Sequence, residues 1–185
     1  FVSAIGDIPR GGGSAEAEAI IKSIRFLGDN GLKEAPLPEK CFFQVLTNGG
    51  THFLQGITGA KIIVFPAITT FGNYPITDNT AVETLDIGGT FNGNIGNYYF
   101  SESTHLNKLI LRRTTIHSLS NINAFNLTQF ASGGTGGTLY VPSALISSYQ
   151  SASNWSTIIG YANNSIVAIE GSAYENYYAD GTPIT

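Results

Sequence analysis

The sequence predicts a β-rich α/β solenoid, in which successive coils of the chain each contribute one short strand to a shared parallel ribbon. Two short segments, 108–112 and 138–142, show the alternation of apolar residues that is typical of strands with one buried face, and two upstream segments, 61–66 and 83–87, match them. The middle residues of these segments, Val64, Asp86, Ile110 and Tyr140, are 22, 24 and 30 residues apart. Gly and Asn residues follow each strand in the same phase. Repeats of this length, each too short to make its own core, indicate stacked coils.

The four predicted strands cover 61–66, 83–87, 108–112 and 138–142. In each strand, two apolar residues in alternate positions are expected to point into the core: Ile63 and Phe65, Leu85 and Ile87, Leu109 and Leu111, and Leu139 and Val141. The middle residue of each strand then faces outward. The alternative interpretation is that these segments are four unrelated strands of a β-sandwich. Their common register favours the solenoid.

Three pieces of the carboxyl-terminal half carry a likeness to known proteins. They are LILR at 109–112 continuing to LSN at 119–121 and NAF at 123–125, LYVPSAL at 139–145, and Tyr149 with SASNWS at 151–156. These pieces resemble the BspA-type leucine-rich repeats, found in surface proteins of gut and oral bacteria and in proteins of their prophages. The likeness covers about residues 60–170, although 91–100 lacks the usual compact turn. The resemblance implies irregular leucine-rich repeats and a role in adhesion or attachment, but a fold does not fix a function.

The sequence divides into four parts. Residues 1–14 end in Gly-Gly-Gly-Ser and are expected to be a leader or linker. Residues 15–59 are expected to form an N-terminal cap, because an uncapped solenoid exposes apolar core at its end. Residues 60–170 are expected to form the leucine-rich-repeat solenoid, and 171–185 a Tyr-rich tail that reaches a neighbouring subunit. Because the chain contains no Met, we expect that another part preceded it.

Two structures compete in the cap region. Apolar residues at helical spacing predict a short helix over 15–24, merging into a strand. The alternative is a strand over 23–27 that ends at an Asp-Asn-Gly turn. Further along, 41–46 is predicted to be a strand, and 52–54 could pair with it as a hairpin.

Short helices are expected to close the carboxyl end. Ser143 is predicted to cap a helix that runs through Tyr149, and Trp155 to cover the last repeat from a second helical turn. A final strand is predicted at 165–169. The aromatic run 98–100 has two interpretations, one or two rings packed in the core or an exposed binding patch.

Composition excludes several classes of function. Only 12% of residues are charged and the net charge is −4 without any basic run, which argues against nucleic-acid binding. No apolar run approaches the roughly 20 residues of a membrane span. The single cysteine, Cys41, is expected to be a small buried hydrophobe. The three histidines lack metal-ligand spacing, and no catalytic constellation can be argued, so we expect no metal, no cofactor and no enzymatic activity.

The candidate ligand-binding residues lie on the outward side of the ribbon. They are Val64, Asp86, Ile110 and Tyr140 in one stripe, with Lys108 in the flanking stripe and Arg112 at the end of its strand. The sequence therefore favours a non-enzymatic adhesion domain outside the cell, on a phage virion or a bacterial surface, that contacts a protein or glycan. The alternative is a structural virion or surface-assembly component whose solenoid and tail contact neighbouring subunits, including copies of the same chain in a homo-oligomer.

Overall fold

The structure is a computed structural model that describes residues 18–21 and 24–175. Within these residues the fold is mixed α/β, with two parallel sheets, neither closed into a barrel, and few helices. The ten strands, in chain order, are β1 Glu18–Ile21, β2 Phe26–Leu27, β3 Lys40–Phe43, β4 Asn48–Gly49, β5 Ile62–Phe65, β6 Thr70–Phe71, β7 Thr84–Ile87, β8 Lys108–Leu111, β9 Thr138–Val141 and β10 Ser165–Ala168.

Seven strands form the larger sheet in the order β1-β3-β5-β7-β8-β9-β10, and β2-β4-β6 form the smaller one. Every neighbouring pair is parallel, and the order of strands in each sheet follows the order along the chain. For two neighbouring strands to be parallel, the chain must return to the same end of the sheet before the second strand begins. Each connection therefore returns the chain to the end of the sheet at which the strands begin, and one strand with the connection that follows it is called here one circuit.

The predicted register is confirmed. Leu85 pairs with Leu109 and Leu109 with Leu139, while Asp86 pairs with Ile110 and Ile110 with Tyr140. Val64 pairs with Asp86, which completes the row of middle residues. A shift of one residue at any strand would have reversed its faces, so the agreement is specific.

One continuous core lies behind the larger sheet. The predicted inward residues Ile63, Leu85, Leu109 and Leu139 are all buried in it. Aromatic rings from successive circuits stack within this core, with Phe43 and Phe65 at a ring-centroid distance of 5.2 Å. The spacing between stacked rings follows the spacing between strands, because equivalent residues occur one circuit apart.

The predicted helix over 15–24 is wrong at Glu18–Ile21, where the chain forms β1 and pairs with β3. Sheet pairing outweighs the modest helix propensity of this segment. The competing strand over 23–27 is found in part, as β2. Since β1 and β3 belong to the larger sheet, that sheet extends upstream of the predicted boundary at residue 60.

The predicted hairpin is also wrong. The strand expected over 41–46 is β3 and ends at Phe43, and residues 52–54 form a turn. The intervening β4 pairs in parallel with β2 and β6 instead of antiparallel with β3. Backbone bonds such as Gly72 N–H to Gly49 O (2.7 Å) link one circuit to the next, so pairing between circuits replaces the local hairpin.

Short helices do close the carboxyl end. A 3₁₀ turn, Ser143–Leu145, leads into α1 (Ile146–Ser151), and α2 (Trp155–Ile159) follows. The predicted capping role of Ser143 is wrong, because Pro142 occupies the cap position and Ser143 is the first residue of the 3₁₀ turn, where its N–H donates to Glu170 Oε2 at 2.8 Å. The last strand is found as β10, one residue shorter than predicted.

Aromatic residues at this end pack as the sequence predicted. Trp155 is fully buried, with its ring 5.1 Å from that of Tyr149 and 5.8 Å from that of Phe125. In the run 98–100, Tyr99 and Phe100 are buried in the core, which confirms the core-packing interpretation for two of the three rings.

No helix among the described residues is long and apolar enough to cross a membrane.

Candidate binding surface on the outer face of the larger sheet

The outer face is defined here as the side of the larger sheet that points away from the main core. Pairing brings Val64, Asp86, Ile110 and Tyr140 side by side on it, and β10 adds Val167 next to Tyr140. A second row on the same face, two residues earlier in each strand, contains Ile62, Thr84, Lys108, Thr138 and Ser165. The structure therefore brings together the residues that the sequence placed in two stripes.

Most of the outward-facing row is inaccessible to solvent in the structure. Val64, Asp86 and Ile110 are at most 1% exposed, and Tyr140 is half-buried. Val64 packs with the fully buried Phe42 in a small second apolar cluster on this face. Burial of such side chains stabilises the fold by about 25 cal/mol per Å² of apolar surface. A parallel sheet with apolar side chains on both of its faces is therefore more stable when both faces are covered.

Accessibility increases toward the last strands. Val167 is 38% exposed and Tyr140 is half-buried, whereas their neighbours earlier in the same row are buried. In the second row, Lys108 and Thr138 are half-buried and Ser165 is exposed. The accessible part of the outer face, called here the β9–β10 patch, consists of Lys108, Thr138, Tyr140, Ser165 and Val167.

Asp86 and Arg112 form a buried ion pair on the outer face. Arg112 Nε donates to Asp86 Oδ1 and Arg112 Nη2 to Asp86 Oδ2, both at 2.8 Å. Burial raises the pKa of Asp86 to about 6, and the hydrogen bond and charge of Arg112 oppose that rise. Because the carboxylate is inaccessible and accepts two hydrogen bonds from Arg112, this pair does not present a free charge to a ligand.

The chain after β10 returns to the outer face. Arg112 Nη2 donates to the Tyr174 carbonyl at 2.9 Å, and the rings of Tyr140 and Tyr174 meet edge to face at 4.6 Å. The described start of the predicted arm, at Tyr174, therefore contacts the larger sheet of its own chain. Residues 176–185 of that tail, and the predicted leader 1–14, lie outside the described residues.

The β9–β10 patch combines an aromatic ring, an aliphatic side chain, hydroxyl groups and one cation. The hydroxyls of Ser165 and Thr138 are hydrogen-bonded to each other at 3.0 Å. Lys108 forms no ion pair within the described part of the chain. Such a surface suits a partner with both apolar and hydrogen-bonding groups.

Sequence reasoning missed Val167 and Tyr174. The strand at 165–169 was predicted without a register, although its offset of 27 residues from Thr138 falls within the range of the other repeats. The contact between Tyr174 and Tyr140 has no local signal, because the two residues meet only after the chain turns back. The binding roles of the six predicted residues stay predictions.

Other candidate chemistry is sparse among the described residues. No group of three or more His, Cys, Asp or Glu side chains in this part of the chain could hold a metal ion. Cys41 is fully buried, as predicted, and burial raises the pKa of its thiol to about 12.

Comparison with protein-family models, with curated proteins and with solved structures gave no match.

Proposed function

We propose that this chain is a non-enzymatic binding domain, built as an irregular leucine-rich-repeat solenoid of the BspA type. The observation that supports the proposal is the larger sheet, in which consecutive strands pair in parallel at offsets such as 22, 24 and 30 residues. Stacked repeats of this length make long, rigid, preformed surfaces. The proposed location is the surface of a phage virion or of a bacterial cell, where the resembling proteins occur.

The proposed contact surface is the β9–β10 patch. Tyr140 and Val167 supply apolar contact, and the row of hydroxyls with Lys108 supplies hydrogen bonds. A shallow patch of this kind gains affinity from many modest contacts on a rigid frame, which loses little conformational entropy on binding. The partner in this proposal is a protein or a glycan exposed on a host surface.

A paired substitution tests the patch. We expect Tyr140→Ala with Val167→Ser to reduce binding at least about 10-fold to a glycan array and to a panel of intact bacterial cells, because apolar anchors dominate such contacts. Both residues are partly accessible at the end of the sheet, so the fold should survive. The matched control is Tyr74→Ala, which removes a 39%-exposed ring outside the patch.

The two outcomes separate clearly. Binding lost in the paired variant and kept in the control, with unchanged circular dichroism for both, supports the patch as the contact surface. Binding that is equal in both variants overturns it. Conversion of any tested oligosaccharide into product would overturn the non-enzymatic assignment.

A specific observation favours assembly as a second function. β10 is the last strand of the larger sheet, and no described strand pairs with its outer edge. Its Ser165 N–H donates inward to Gly137 O, so by alternation the Ala168 N–H points to the open edge. Open edges are templates for pairing with a second chain.

Ala168→Pro removes that outward donor without removing a bond to β9. If the chain assembles edge to edge, this variant should be monomeric by light scattering where the parent forms oligomers. Val167→Pro serves as the contrast, because it removes an inward N–H and should reduce stability instead. A parent that is monomeric at all concentrations eliminates the assembly function through this edge.

A further inference from the structure

A cleft lies between the turn at 92–94, the segment 113–119 and the start of α2. Its volume is about 390 Å³. It is lined by the polar residues Asn92, Asn94, Arg113, His117, Ser118 and Ser153 and by the apolar residues Ile116, Leu119, Ala152 and Trp155. The cleft shares no residue with the β9–β10 patch and has no part in the proposed contact with a partner surface.

Arg113 brings a cation to the cleft without a matching carboxylate. Its one described hydrogen bond runs from Nη1 to the Asn92 carbonyl at 3.3 Å, and it forms no ion pair within the described residues. A guanidinium has five N–H donors in a planar fork. Most of the donors of Arg113 are thus available to an anion, and a carboxylate is the group that this fork binds through two hydrogen bonds.

His117 contributes a buried acceptor. Its side chain is 1% exposed, and Nδ1 lies 3.1 Å from the Gly93 carbonyl. Since a carbonyl only accepts hydrogen bonds, Nδ1 carries the proton and Nε2 of the neutral ring is an acceptor. Nε2 is buried and has no hydrogen-bond partner within the described residues. A buried acceptor without a partner costs free energy.

The protonation state agrees with that geometry. Burial lowers the pKa of His117, with the nearby charge of Arg113 acting in the same direction and the Gly93 carbonyl opposing both. The ring is therefore neutral near pH 7, and it accepts a hydrogen bond where a protonated ring could only donate one.

The walls of the cleft are held rigidly. Trp155 Nε1 donates to the His117 carbonyl at 2.7 Å, and the His117 N–H donates to the Tyr149 hydroxyl at 3.1 Å. Asn154 Nδ2 donates to the Leu119 carbonyl at 2.8 Å, which connects the start of α2 to the opposite wall. A cleft that is preformed in this way binds a small ligand without ordering its own walls first.

We propose that the cleft binds an acidic sugar unit, a monosaccharide that carries a carboxylate. Arg113 pairs with the carboxylate, and the amides and hydroxyls of Asn92, Asn94 and Ser118 bind the ring hydroxyls. The volume lies within the roughly 300–1,000 Å³ of small-molecule sites and suits one or two sugar rings. The lining combines one arginine with neutral polar residues and with the apolar Ile116, Leu119, Ala152 and Trp155, which suits a sugar ring with hydroxyls and apolar faces better than a simple anion.

Three probes that differ in one feature each test the proposal. Methyl glucuronide carries both the carboxylate and the hydroxyls, methyl glucoside lacks the carboxylate, and acetate lacks the sugar. Titrations of the whole chain are followed by backbone amide shifts in a nitrogen–proton correlation spectrum. We expect methyl glucuronide to shift the amides of 92–94 and 117–119 with a dissociation constant on the order of 1 mM, and the other two probes to bind at least about 10-fold more weakly.

Arg113→Gln should weaken methyl glucuronide binding at least about 10-fold, because it removes a charge-assisted bidentate contact. Arg25→Gln, at an exposed position outside the cleft, is the matched control and should bind as the parent does. The amide spectrum of each variant reports folding in the same experiment. The proposal is overturned if methyl glucoside or acetate binds as well as methyl glucuronide, if Arg113→Gln has no effect, or if no probe shifts these amides at roughly 20 mM.

Failure here is distinguishable from failure of the proposed function. The Tyr140→Ala and Val167→Ser variant leaves every cleft residue in place, so it should still bind methyl glucuronide. Loss of sugar binding in that variant would also contradict the assignment, since it would place the ligand on the outer face.

Discussion

Replacing Arg112 by Met should destabilise the protein by about 3–5 kcal/mol near pH 7.5, the usual cost of removing one partner of a buried ion pair. Asp86 is 1% exposed and both of its carboxylate oxygens accept from Arg112 at 2.8 Å. The substitution leaves a buried carboxylate without its charge partner, and it also removes the bond to the Tyr174 carbonyl.

The cost should depend on pH in a defined direction. Asp86 has a pKa of about 6 in the folded protein and 3.8 when unperturbed, so the folded state binds the extra proton and stability falls as pH rises between these values. Because Arg112 lowers the pKa of Asp86, its removal raises that pKa further. The loss of stability with rising pH then continues above pH 6. The cost of Arg112→Met should thus be small near pH 5 and large near pH 7.5.

Urea unfolding, followed by the fluorescence of the single tryptophan, measures these differences. Arg113→Met is the matched control, because that arginine has no carboxylate partner among the described residues. Asp86→Leu combined with Arg112→Met should return to within about 1 kcal/mol of the parent, since apolar pairs often replace buried ion pairs without loss. A cost below about 1 kcal/mol near pH 7.5, or an equal cost at both pH values, would refute the reasoning.

Three further predictions concern the core. Trp155→Phe should cost about 2 kcal/mol by circular dichroism melts, because it removes buried ring volume and the 2.7 Å bond to the His117 carbonyl. Cys41, whose thiol pKa is raised to about 12 by burial, should react with a disulfide reagent near pH 8 only after urea unfolds the chain, as thiol absorbance assays would show. Gly88→Ala should cost about 2 kcal/mol or more in urea titrations, because its Cβ would lie 2.1 Å from the Pro66 carbonyl oxygen.

Each of these has a contrasting result. Gly133→Ala controls for Gly88→Ala, since that position has open space around the added Cβ and only a positive φ of 83° to strain, worth about 1 kcal/mol. Equal losses for the two glycines would contradict close approach between circuits as the cause. Stoichiometric labelling of Cys41 in the folded protein would contradict its burial, and an unchanged melt for Trp155→Phe would contradict its packing role.

Sequence reasoning found β5, β7, β8 and β9 from the repeated spacing of their inward residues, which also predicted the register. Three of these strands, β5, β7 and β8, are buried on both faces, so alternation of burial did not identify them. β3 was predicted over 41–46, outside the repeat, and without a register to β5 its end at Phe43 was missed. The segment Glu18–Ile21 has helix-forming residues, and only its pairing with β3 makes it a strand.

For the candidate sites, the sequence placed six residues on one face of a ribbon but could not tell which of them are accessible. Asp86 and Arg112 are 26 residues apart, and their pairing follows once the register is known. Arg112 and Tyr174 are 62 residues apart, and no local pattern relates them. The cleft at Arg113 and His117 was invisible for the same reason, because α2 forms its far wall.

By itself, the sequence determined the spacing of the strands and the residues that point into the core. Both are local properties: side chains alternate along a strand, and covalent length fixes how far the chain travels before the next strand can begin. Only the tertiary structure decided that most of the outer stripe is buried and that the accessible patch lies at the last two strands. Burial is set by contacts between segments that meet only after folding, so it cannot be read from the alternation of any one strand.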